Sequence, residues 1–381
     1  MKRLLLPLLL VGFVRALPDQ FTANCHDRCK CNKTTISCTR AAVQSTDIFL
    51  FMRSEVYEDL DTLTVTGNKL HHIDDSNLFG EGVTHVHLSL MNISHNAISS
   101  LHADALRGLP RLEVLDLSFN KIETIEGDLL GRFPLLRQVF LNRAFSSALN
   151  GSTDVINMVY RLFRESSNKF DHLEEVHLDS NLLNNLPPDT FCKLPTLTTL
   201  SLKGNRLRSF RFDNNCFPVL NRLDLSRNHI NYVSTEVVNL WDVGFPVLEE
   251  LDVSENPFVC DCHMKDFVKF VWKEKDVFIN DEDTFCMTAI PSDLTNEGLA
   301  HVDANQLRCA GDIDANLHSV YLLVALALIG LLLVVACFVY RSGTSLLTKT
   351  FSGGGSKFTV VGGYHKLSGA DQEGAVHAEF V

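Results

Sequence analysis

Apolar residues recur along the middle of the chain in the unit L-x-x-L-x-L-x-x-N-x-L. The first copy reads Leu60, Leu63, Val65, Asn68, Leu70, and the second Leu88, Met91, Ile93, Asn96, Ile98. The third is Leu112, Leu115, Leu117, Asn120, Ile122, and the fourth runs Leu136, Val139, Leu141 with Ala144 where the asparagine belongs. Four more begin at Leu173, Leu197, Leu220 and Leu248 and carry Asn181, Asn205, Asn228 and Asn256. A self-similar unit at this period predicts an α/β solenoid with a curved parallel β-sheet, one coil per copy. Residues at period two face inward from a short strand, and strands of successive coils pair in parallel. The asparagine side chain satisfies backbone groups inside the turn, away from water. Pro110, Pro134, Pro195, Pro218 and Pro246 each stand ahead of a strand and help end the return segment.

Asparagine-to-asparagine spacing is 23 to 28 residues, except for the 37 from Ala144 to Asn181. An insertion near residues 145–172 accounts for the difference. Its Val155, Met158, Val159, Leu162 and Phe163 fall at helical spacing.

Two further apolar runs set the compartment. Leu4 to Val14 follows Lys2 and Arg3, is too short to span a bilayer, and precedes a small-residue site at Ala16. Residues 1–16 therefore read as a signal peptide. Ser319 to Tyr340 carries no charge and is long enough to cross the hydrocarbon core. Arg341 follows and Asp312 and Asp314 precede, which puts the C-terminal side in the cytosol. The expected order is leader (1–16), N-terminal cysteine cap (17–57), eight repeats (58–256), C-terminal cysteine cap (257–310), juxtamembrane stalk (311–318), transmembrane helix (319–340) and disordered cytoplasmic tail (341–381). The expected location is the plasma membrane, as a single-pass type I protein.

The net charge of −12 argues against a nucleic-acid partner. With the +3 leader and the +1 tail set aside, the ectodomain carries −16, which favours a basic protein partner. Eleven cysteines in regular clusters suit an oxidising compartment. Four stand at Cys25, Cys29, Cys31 and Cys38, and four at Cys260, Cys262, Cys286 and Cys309. Each set admits three connectivities. Met264, Phe267, Val268 and Val271 form a helical stripe that should cover the last coil. Cys192 and Cys216 each lie eleven residues after their unit's asparagine, which predicts a bridge between adjacent coils, the alternative being two free thiols. Cys337 falls in the inner half of the membrane span, as a palmitoylation site or as a small apolar helix residue.

No hydrolase, zinc-protease or phosphate-loop motif is present, so no enzyme activity and no cofactor are expected. Zinc ligation by Cys260, Cys262 and His263 fits by ligand type but not by compartment, and no metal site is assigned. His85 and His87 are expected to share a face of a strand-like stretch near His71 and His72, as solvated surface histidines, the alternative being metal binding. Recognition remains. The x positions of the strands line the concave face, and three of them, Leu90, Val114 and Phe140, are apolar in consecutive coils. With Asp116 and Glu175 beside them, they predict a protein-binding patch on coils two to four. The competing expectation is that the inserted helix folds over Phe140. Sequons stand at Asn32, Asn92 and Asn150, and a glycan on Asn92 would obstruct part of that surface. In the tail, Tyr364 and Leu367 have the form of an endocytic signal, and Glu379 and Val381 fit capture of the C-terminus by a PDZ protein.

The cysteine clusters resemble the caps of extracellular leucine-rich-repeat proteins, and that resemblance implies first-to-third and second-to-fourth pairing in each cap: Cys25–Cys31, Cys29–Cys38, Cys260–Cys286 and Cys262–Cys309. The cap entry from Asn256 to Phe270 (NPFVCDCHMKDFVKF), the glycosylated interruption, Ala327 to Gly330 and the Gly363-Tyr364-His365 run are similar to the trophoblast glycoprotein family. The chain departs from that family at its last three residues, Glu379-Phe380-Val381. The resemblance implies a surface glycoprotein that restrains β-catenin-dependent Wnt signalling by changing how the Wnt co-receptor is handled. The alternative is an adhesion or neuronal guidance protein with a partner on another cell.

Overall fold

The computed structural model describes residues 25–74, 77–149 and 153–350. The leader, the Asn150 sequon and the tail signals at Tyr364, Leu367, Glu379 and Val381 lie outside the described residues. The chain divides into two units, one ending at Ile313 and one starting at Asp314.

The first unit is a leucine-rich-repeat solenoid. Its main sheet has eleven strands, and every pairing is parallel except the N-terminal hairpin of Lys30–Cys31 with Thr35–Ser37. The repeat strands are three residues long: Thr62–Thr64, Leu90–Asn92, Val114–Asp116, Gln138–Phe140, Glu175–His177, Thr199–Ser201, Arg222–Asp224 and Glu250–Asp252. The middle residue of each is buried and anchors its coil, leaving two side chains per strand for the open face.

The asparagines form a continuous ladder. Asn120 Nδ2 donates to the Ile93 carbonyl of the preceding coil and to Leu117 of its own, at 3.2 and 2.8 Å. Its Oδ1 accepts from the Ile98 N–H. Asn205, Asn228 and Asn256 repeat the pattern. The residue before each asparagine, and before Ala144, turns the chain through the left-handed region, with φ between 49° and 69° at Gly67, His95, Phe119, Arg143, Ser180, Gly204, Arg227 and Glu255. Glycine takes that conformation without strain; Phe119 is the bulkiest residue held there.

Ala144 has no amide to offer, and the backbone replaces it. Its carbonyl accepts the Ile122 N–H at 2.9 Å, the role an asparagine oxygen plays elsewhere. The chain then bridges Ile122 through Phe145 and departs into the insertion. There Thr153–Tyr160 (α1) forms a helix that continues as a π-helical turn over Arg161–Glu165. Val155, Met158, Val159, Leu162 and Phe163 are all buried. The insertion is pinned by Tyr160 and Arg164, which both bond Asp189 Oδ2, at 3.0 and 2.8 Å.

On the opposite side of the coils, His72–Ile73, Ser100–His102 and Thr124–Glu126 make a second, three-stranded parallel sheet. Later coils fill this side with rings instead. Phe163, Phe191, Phe217, Phe210 and Phe212 contact one another in sequence, with centroids 4.9 to 6.5 Å apart.

Both ends are closed by cysteines. The N-terminal bridges are Cys25–Cys31 and Cys29–Cys38, and the C-terminal ones Cys260–Cys286 and Cys262–Cys309. Cys192–Cys216 joins adjacent coils. Helix Thr235–Gly244 (α2) packs against helix Lys265–Lys273 (α3), with Trp241 edge-on to Phe267 at 6.2 Å. Met264, Phe267, Val268 and Val271 cover the apolar end of the stack.

Among the described residues, the second unit holds one helix long and apolar enough to cross a membrane, with its span at Ser319–Arg341 and a mean hydropathy of 3.2. The helix itself runs from Ala310 to Thr350 (α4). The helix thus extends beyond the apolar span on both sides. Extending an existing helix costs far less than nucleating one, so the span carries its flanks with it.

Candidate binding face

The open face of the sheet carries two rows of side chains. In one, Thr62, Leu90, Val114, Gln138, Glu175 and Thr199 stand side by side. In the other, Thr64, Asn92, Asp116, Phe140, His177 and Ser201 do. Leu90 and Val114 are therefore neighbours, but Phe140 is not the third member of their row. It occupies the second outward position of its strand, between Val139 and Leu141, and pairs with Asp116. The expected apolar run is corrected to an apolar pair and, one row across, a single ring.

That ring has a partner. Phe140 stacks on His177, with centroids 4.7 Å apart and planes 16° from parallel. The His177 ring nitrogen Nε2 lies 3.3 Å from Glu175 Oε2, and Glu175 Oε1 accepts from Gln138 Nε2 at 2.9 Å. Glu175 thus ties the two rows together and holds the imidazole against the phenyl ring. Phe140, His177, Leu90 and Val114 are all half-buried, and their outer surfaces remain open. The inserted helix does not cover Phe140: Arg161, in its π-helical turn, bonds the Ile125 carbonyl, which belongs to the opposite side of the coil.

A second stack borders this face. The left-handed turns place consecutive side chains along one rim, where His95 lies 4.2 Å from Phe119 at 21°, and the Arg143 guanidinium sits over the same ring at 5.9 Å. Phe119 remains 40% exposed, a large apolar side chain that its own coil does not bury. Rings stacked in this way offer a rigid, pre-ordered surface to a partner.

Beyond His177 the face turns acidic. Asp179 accepts from Ser201 Oγ at 2.5 Å, and Asp252 accepts from Asn280 Nδ2 at 2.7 Å. Burial, reinforced by the neighbouring Asp224 carboxylate, pushes the Asp179 carboxyl above the usual range, against the Ser201 hydrogen bond. Asn92 stands in the Phe140 row, two strands away, or about 10 Å. A glycan on it would stand beside Asp116 on the same face and obstruct part of it.

The histidine reading is corrected. The stretch holding His85 and His87 forms no strand; His87 is exposed, but His85 is 2% exposed, edge-on to Phe79 at 4.6 Å. Among the described residues neither ring nitrogen has a partner in good hydrogen-bond geometry, although the Met52 backbone lies close enough to interact. Burial pushes its pKa down, opposed by the Met52 backbone and the Glu55 carboxylate. The sulfurs of Cys262 and Cys309, which approach His263, are joined in a disulfide and are not thiolate ligands.

His177, His95, Phe119 and Arg143 were not among the sequence-derived candidates. The signal was there: each falls at a fixed position of the repeat, one coil from an aromatic ring.

A leucine-rich-repeat family model matches residues 86–143 and 171–230. Trophoblast glycoprotein of Macaca fascicularis is 24% identical over 86% of this chain and 77% of its own length; that of Mus musculus is 26% identical over 84% and 76%. Human toll-like receptor 5 is 30% identical over 54% of this chain, which spans only 22% of that receptor. The crystal structure of human 5T4 (Wnt-activated inhibitory factor 1, trophoblast glycoprotein) superposes with a TM-score of 0.63 at 25% identity, over 75% of this chain and 99% of that one. The chain is a leucine-rich-repeat protein homologous to trophoblast glycoprotein.

Proposed function

We propose that this protein is a type I, single-pass plasma-membrane glycoprotein that binds a protein partner and restrains β-catenin-dependent Wnt signalling by altering how the Wnt co-receptor is handled at the surface. The observation that carries this reading is the match along nearly the whole solved length of a protein titled Wnt-activated inhibitory factor 1. It is a binding protein rather than an enzyme. Its partner docks on the open face around Phe140 and His177, with Leu90, Val114, Asp116 and Glu175 at the edge of the contact. The leader at 1–16 is removed, Asn32, Asn92 and Asn150 carry glycans, and the basic flank after Tyr340 keeps the C-terminus in the cytosol. There Tyr364 and Leu367 serve endocytosis, and Glu379 and Val381 a PDZ protein.

The test is expression of the full chain in Wnt-responsive cells, reading a β-catenin reporter and the surface level of the co-receptor. A fall in reporter output supports the reading. An unchanged reporter and co-receptor, with the protein at the surface, would replace it with adhesion to a partner on another cell, read by cell aggregation.

A further inference from the structure

A cleft of about 680 Å³ opens between the insertion and the side of the coils opposite the main sheet. One wall is the strand Thr124–Glu126, the last of its three-stranded sheet. Among the described residues no strand pairs with its outer edge, because the next coil pairs at Ile122 through Phe145 and then leaves. The Thr124 N–H bonds Ser99 on the paired side. Backbone alternation then turns the Ile125 N–H and carbonyl toward the cleft. The carbonyl is held there by Arg161 Nη2 at 2.9 Å.

An unpaired strand edge is a template for another strand, and proteins usually cover it or place a charge against it. Among the described residues the guard is the Arg161 side chain, which an incoming main-chain N–H can replace. The charge around the edge selects the newcomer. Glu123, Glu126, Asp154 and Glu165 line the cleft, against Arg161 as the cation lining it among the described residues.

We propose that this cleft binds an extended, lysine- or arginine-bearing segment of a protein partner, added as a fourth strand beside Thr124–Glu126. Main-chain hydrogen bonds to Ile125 set its position, and the carboxylates of Glu123, Glu126 and Glu165 select its charge. The site is separate from the open face around Phe140 and does not depend on that face having a partner.

The test uses the full chain in lipid nanodiscs and a fluorescein-labelled octapeptide of alternating lysine and valine, read by anisotropy. Saturable binding that weakens with salt is expected. Two comparisons separate strand addition from charge alone. The fully N-methylated peptide keeps its charge but has no N–H to donate, and should bind at least tenfold more weakly to the wild-type protein. The double variant Glu123→Lys/Glu126→Lys changes two exposed side chains and should lose binding by a similar factor at an unchanged melting temperature. Equal binding of the methylated peptide, binding retained by the double variant, or no saturable binding by the wild type would each overturn the proposal. The methylated peptide reads the wild-type protein, so that outcome stands even where the variant folds poorly.

Discussion

The side-chain amide of Asn181 donates to the Leu141 carbonyl at 2.7 Å, across forty residues of chain. Its oxygen accepts the Ala144 N–H at 2.9 Å, and its amide also reaches the Leu178 carbonyl. One side chain therefore closes the solenoid over the insertion, where the coil before it lacks an asparagine of its own. Asn181→Ala would remove these three buried hydrogen bonds at once, each worth about 0.5–1.5 kcal/mol net. The expected loss is about 3 kcal/mol, read by denaturant unfolding. The same change at exposed Asn305 should cost little.

Phe119 trades stability for its place on the rim. A left-handed backbone costs an L-residue roughly 1–2 kcal/mol, while asparagine tolerates it better. The stack with His95 and Arg143 returns a similar amount. Phe119→Asn is therefore expected to shift stability by less than about 1 kcal/mol in either direction. Partner binding should nevertheless fall if this rim is part of the contact. Calorimetric melting beside a cell-surface binding assay separates the two effects.

His85 makes the N-terminal coils sensitive to acid. Its folded-state pKa lies below the ordinary value because burial disfavours the charged form. Above pH of about 6.5 the ring is neutral in both the folded and unfolded states and adds no pH dependence. Below that, the unfolded chain takes up a proton that the folded chain resists, so stability falls as pH falls toward the folded pKa. His85→Leu should remove this contribution. The melting temperature of the variant should drop less than that of the wild type between pH 7.5 and 5.5. Equal drops would show that His85 contributes nothing.

Much of the fold was legible because its unit repeats. Buried leucines at period two and an asparagine at a fixed offset are local signals, and each copy confirmed the last. The open face was harder to read. Phe140 is apolar and outward like Leu90 and Val114, but row membership depends on which outward slot a residue occupies, and Phe140 takes the second. His177 escaped notice because its role comes from Phe140, 37 residues earlier, and strand pairing brings the two rings together. His85 misled for a related reason. Alternation was read into a stretch that forms no strand, so a core residue looked like a surface one. The second sheet had no signal of its own: strands of two or three residues in the return segments are set by stacking of the coils, not by local pattern.

The face around Phe140 and His177 is the proposed partner site. The most direct measurement compares wild type with Phe140→Asp in Wnt-responsive cells, at matched surface levels, by β-catenin reporter. Phe140 is half-buried on an open face, so the variant should fold and reach the surface. The expected result is that wild type lowers the reporter and Phe140→Asp does not. Equal inhibition by both proteins would place the contact elsewhere on the molecule.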